Sequence, residues 1–111
     1  MGHDLIDKRS LAYNRLIVQK IRQQPERMDF VRTNLDRALN DPELSNSCKD
    51  ALREWDDLFH SCSVDKILNI LVEESDEGQR LRHSTPFWGV LTPQERQGIL
   101  RQFRQYEAPG A

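Results

Sequence analysis

The spacing of the apolar residues most constrains what this chain can become: they return every three or four positions through nearly its whole length. That period puts them on one face of an α-helix, and no run alternates as a half-buried strand would. The first segment runs from Leu5 to Arg22, with Leu5, Ala12, Leu16, Val18 and Ile21 inward and Ile17 widening the stripe. The second spans Pro25 to Leu39 through Met28, Val31, Leu35, Ala38 and Leu39. The third, Ser47 to Phe59, carries Cys48, Ala51, Leu52, Trp55, Leu58 and Phe59. A fourth covers Val64 to Glu74 behind Ser63, and a short fifth covers Asp76 to Arg82 behind Ser75. The last runs from Pro93 to Tyr106 with Ile99, Leu100 and Phe103 inward.

Punctuation supports these boundaries. Pro25 suits a first helical turn, with Glu26 at the positive end of the helix dipole. Asn40-Asp41-Pro42 reads as a turn, in which Asp41 can cap a helix that begins at Pro42. Thr92-Pro93-Gln94-Glu95 combines an N-cap threonine, a proline at the first position and a glutamate at the third, the signature of a capping box. The expected fold is all-α: a compact single-domain bundle of five or six helices over residues 1–106, with a frayed tail at 107–111.

The net charge of −2 conceals a segregation. Residues 1–40 balance to +3, residues 41–77 to −8 and residues 78–111 to +3. An acidic middle between basic ends suits electrostatic steering of a basic partner. Two cysteines, Cys48 and Cys62, are too few for a secreted disulfide scaffold and are expected reduced, unbonded and buried. With no signal-peptide core, no myristoylation pattern and no apolar run of membrane length, the cytoplasm is the expected compartment.

Candidate chemistry is sparse. His60, Cys62, Cys48 and His83 offer nitrogen and sulfur ligands, but only one short pair among them has local spacing, so no metal is expected. Cys48 shares a stripe with Ala51, Leu52 and Trp55 in an acidic neighbourhood, which raises a thiol pKa and argues against a nucleophile. Asp56-Asp57 and Glu73-Glu74 are adjacent pairs that splay around a helix and do not form one site. No glycine-rich phosphate loop is present. Neither an enzyme nor a cofactor is expected. A helix–turn–helix over Ile67 to Arg82 would open its second helix with Asp76-Glu77, which opposes contact with phosphates. The basic sets Arg15/Lys20/Arg22 and Arg96/Arg101/Arg104 keep a DNA-binding regulator as the alternative reading.

Phe87 and Trp88 stand side by side between Pro86 and Gly89, which interrupt any helix there. Two such rings in an irregular segment either seal a core or anchor a partner. Neighbours in an extended segment point opposite ways, so a division of labour is expected, one ring inward and one outward.

The stretch Arg80-Leu81-Arg82-His83-Ser84-Thr85-Pro86-Phe87-Trp88-Gly89-Val90-Leu91-Thr92-Pro93-Gln94-Glu95-Arg96, together with Leu11-Ala12-Tyr13-Asn14-Arg15, resembles small helical bacterial antitoxins encoded beside a toxin gene. The resemblance implies a toxin-neutralising role. The chain departs from many antitoxins in lacking a swapped-dimer ribbon or a clear helix–turn–helix, which argues against repression of its own operon. The expectation is a non-enzymatic inhibitor that occludes the basic active site of a toxin acting on nucleotides or RNA. Its partner-binding set would be Arg80, Arg82, Pro86, Phe87, Trp88 and Leu91 in the aromatic segment. Asp56, Asp57, Glu73, Glu74, Asp76 and Glu77, with Glu54, would form the steering face.

Overall fold

The computed structural model describes residues 2–107, with side chains from 6 to 104, and is all-α. Its helices are α1 (Gly2–Gln23), α2 (Arg27–Leu39), α3 (Asn46–Ser61), α4 (Val64–Leu71), α5 (Asp76–Arg82) and α6 (Pro93–Glu107). No strand occurs among the described residues. Residues 108–111 of the expected tail and the side chain of Leu5 lie outside what is described. α1 packs on α4, α5 and α6, while α2 packs on α3, which in turn meets α4.

Several boundaries differ from expectation for local physical reasons. α2 begins at Arg27 because Gln24 and Pro25 sit in a tight turn, whose carbonyls accept from Arg27 N and Met28 N. Asp41 caps a turn instead of a helix: Glu43 N donates to its carboxylate at 2.9 Å. The cap of α3 is Ser45, whose hydroxyl accepts from Cys48 N. That cap sets Cys48 in the first turn, one turn ahead of the buried stripe that starts at Leu52. Cys48 is consequently exposed and Cys62 only half-buried, both unbonded, which corrects the expectation of two buried thiols. α4 stops at Leu71 and not Glu74. Glu73 and Glu74 would place two negative charges on the negative end of the helix dipole. Instead Val72 N and Glu73 N close tighter turns onto Asn69 O and Ile70 O.

Arg82 completes that stop. Its side chain is buried, and Nη1 donates to Leu71 O at 3.2 Å and Glu73 O at 2.7 Å. These are carbonyls that the end of α4 leaves without partners, and a guanidinium is well suited to take two of them. Burial pulls the Arg82 pKa down from its ordinary value, against the raising influence of Asp7, Glu74 and Glu73. α5 starts directly behind, with Gly78 against the end of α4: a Cβ there would meet Glu73 O at 2.2 Å.

The core centres on a ring cluster. Trp55, Phe59 and Phe87 meet edge to face, with centroids 5.9 to 6.3 Å apart. The positive ring edges point at negative faces, the arrangement that aromatic quadrupoles favour. Trp55 is fully buried, and its Nε1 donates to Leu81 O at 3.0 Å. Val31 and Leu35 of α2 and Ile67, Leu68 and Leu71 of α4 join it in the core.

Candidate functional site

The segment between α5 and α6 is irregular yet fixed at several points. Pro86, Phe87, Val90 and Leu91 are buried, while Trp88 stays 42 % exposed. The two rings therefore part as their adjacency suggests. Gly89 turns the chain at φ 81°, a left-handed conformation that a side chain would disfavour. A Cβ at Gly89 would also sit 3.2 Å from the Phe30 ring of α2. Donors from two helices hold the segment's carbonyls. Asn34 Nδ2 donates to Trp88 O at 3.3 Å, and Lys20 Nζ donates to Val90 O at 2.9 Å.

Lys20 also ties this segment to α6. Its ammonium lies 2.6 Å from Glu95 Oε1, and both groups are half-buried. The same oxygen accepts from Thr92 N at 2.7 Å, while Glu95 N donates to Thr92 Oγ1 at 3.1 Å. The expected capping box is thus formed, with a lysine from α1 added to it. The Lys20 hydrogen bond, helped by Thr92, holds the Glu95 carboxyl below the usual carboxylate range.

Beneath Trp88 opens a cleft of about 280 Å³ between α1 and the start of α6. Ile6, Ile17, Phe87, Trp88 and Leu91 give it apolar walls; Arg9 and Arg96 bring positive charge. Asn14 lies in its lining, buried, with Nδ2 donating to Ser10 O at 2.8 Å and Oδ1 without a donor among the described residues. A wider groove of about 840 Å³ continues from it toward Leu100. Tyr13, Gly89, Leu91 and Arg96 belong to both.

Among the described residues, the three large apolar side chains left exposed are Ile6, Phe30 and Trp88. They fall on one face. Ile6 and Trp88 wall the same cleft, and Phe30 lies against Gly89, the next residue to Trp88.

The expected partner-binding residues divide sharply. Arg82, Pro86, Phe87 and Leu91 are buried. They hold the segment in place: Phe87 and Leu91 show only an edge to the cleft wall, Pro86 does not line it, and Arg82 is engaged at the end of α4. Trp88 and Arg80 remain exposed, but Arg80 forks between Glu54, at 2.8 and 3.0 Å, and Glu77. That hydrogen bond lowers the Glu77 pKa and raises that of Arg80. Glu74 pairs with Arg15 at 3.2 Å, and Asp56 lies near His60 at 3.7 Å. Asp57, Glu73 and Asp76 make no ion pair among the described residues, although Glu73 accepts from Ser75. None of the acidic set lines the cleft beneath Trp88. The exposed ring has arginines beside it, not carboxylates.

Sequence reasoning passed over Phe30, Asn14 and Ile6. Phe30 falls off the stripe of Met28, Val31 and Leu35, so an apolar residue on a solvent face was the available signal. Asn14 sits three residues from both Leu11 and Ile17, a polar position inside an apolar stripe. Comparison with protein-family models, curated proteins and solved structures returns no match for this chain.

Proposed function

We propose that this protein is a non-enzymatic binding domain that captures a partner protein through the face built around Trp88. The observation that carries the reading is the gathering of Ile6, Phe30 and Trp88 about a segment whose Trp88 and Val90 carbonyls are held by Asn34 and Lys20. Apolar side chains scattered singly need no explanation, whereas a contiguous set marks an interaction surface. A pinned indole loses little freedom on binding, and exposed tryptophans are the side chains most often found to dominate an interface. The antitoxin role that the resemblance implies is one form of this function, with the toxin as the captured protein. Its steering would involve the cationic rim of the cleft more than the acidic middle of the chain, much of which is already paired within the fold.

The test places a photo-crosslinking amino acid at position 88 in the native host, with position 57 as control, and identifies the protein trapped only at 88. Titration calorimetry with that protein should show Trp88→Ala costing about 2 kcal/mol or more of binding free energy. Equal trapping at both positions, or an affinity indifferent to Trp88→Ala, would sink the proposal.

A further inference from the structure

The cleft and the longer groove meet at Arg96, and that junction says what kind of segment fits. On either side the walls are mostly apolar: Ile6, Ile17 and Trp88 in one direction, Pro93 and Leu100 in the other. Between them stands a guanidinium that makes no hydrogen bond or ion pair among the described residues. The other basic side chains in the lining are engaged, Arg82 with Leu71 O and Glu73 O and Arg9 with a partner of its own. An exposed guanidinium between apolar walls is placed to pair with an anion carried by whatever fills them.

We infer that the groove running past Arg96 binds a segment of the partner protein in which an acidic residue stands between apolar ones. The carboxylate pairs with Arg96, and the flanking apolar side chains fill the cleft and the groove. Apolar residues laid into a groove are a recurrent mode of peptide recognition. The combined space, about 280 and about 840 Å³, is that of several side chains, larger than a single small anion needs. The inference rests on the proposed Trp88 docking face and specifies what that face recognises.

The experiment is an mRNA-display selection of random twelve-residue segments against the full chain. Enriched segments should carry Asp or Glu flanked by apolar or aromatic residues. Their affinity should fall about tenfold or more with Arg96→Glu, as expected when one partner of a desolvated charge pair is reversed. It should fall about thirtyfold with Trp88→Ala. Arg96→Glu is exposed and sits in the first turn of α6, where a carboxylate is tolerated, so the variant keeps the fold. A second selection against Arg96→Glu should enrich Lys or Arg in place of the acidic residue. Absence of enrichment, basic or uncharged consensus segments, or indifference to Arg96→Glu each overturns the inference. Loss of binding with Trp88→Ala alone keeps the aromatic docking face while removing the acidic segment. Indifference to both variants removes the two together.

Discussion

Phe87 and Trp88 are neighbours with opposite environments, one at 1 % exposure and the other at 42 %. Phe87 touches both Trp55 and Phe59, so Phe87→Ala should cost about 3–5 kcal/mol, as deletions of large core side chains do. Trp88→Ala should change stability by well under about 1 kcal/mol, the range of surface substitutions. Chemical denaturation of the two variants checks the contrast, and equal losses would show that Trp88 is structural. Asn14 gives a less familiar expectation. Its Oδ1 is buried without a donor, so Asn14→Leu should leave stability unchanged or raise it by roughly 1 kcal/mol, the scale of a relieved desolvation cost. A large destabilisation would mean that the bond from Nδ2 to Ser10 O matters more than the orphaned acceptor. The parting of the two rings was legible from adjacency in an irregular segment. The burial of Arg82 was not, because its partners are carbonyls at the end of another helix, and no local signal announces a cap supplied from a distance in the chain.

Three helix starts were easy to read, since each depends on a side chain and an N–H three residues on; α2, which has no side-chain cap, and α3, capped by Ser45, were not. Ser63, Ser75 and Thr92 cap α4, α5 and α6 at the expected places, with hydroxyls 3.0 to 3.2 Å from the third amide. Helix ends were harder. α4 ends under tertiary control, through Arg82 and the close approach of α5 at Gly78. Gly78→Ala should therefore destabilise the protein by about 1–3 kcal/mol, the range for overpacking, although alanine favours an isolated helix. Thermal denaturation checks the sign. At the other junction, Glu95 links the capping box to Lys20. Its folded-state pKa is depressed below the reference of 4.5, so the stability it contributes is present above that pH and is lost as pH falls through the folded value. Glu95→Gln keeps a side chain able to complete the box but removes the charge. The variant should be about 1 kcal/mol less stable than the parent at pH 7, and the gap should close toward pH 3. A gap independent of pH would show that the Lys20 contact acts by shape alone.

At the scale of the whole molecule, the segregation of charge along the chain is undone by folding. Arg15 and Arg22 of α1 reach Glu74 and Asp65 of the acidic middle, and Arg80 reaches back to Glu54. The blocks were legible in sequence, but their consequence was not, because which block faces which depends on how α1 lies across α4 and α5. These pairs are largely exposed to water, so each contributes little to stability. Raising NaCl from low salt to 1 M should therefore lower the melting temperature by only a few degrees, as screening removes exposed pairs and leaves the apolar core. A collapse of the fold in salt would contradict a core-dominated account. The chain has two indoles, Trp55 sealed at 0 % exposure and Trp88 at the surface. Their emission should differ accordingly, blue-shifted and shielded from acrylamide for the first, red-shifted and quenchable for the second. The protein thus carries two optical reporters, one sensing whether the interior is intact and the other whether the surface is occupied, readable in one unlabelled sample.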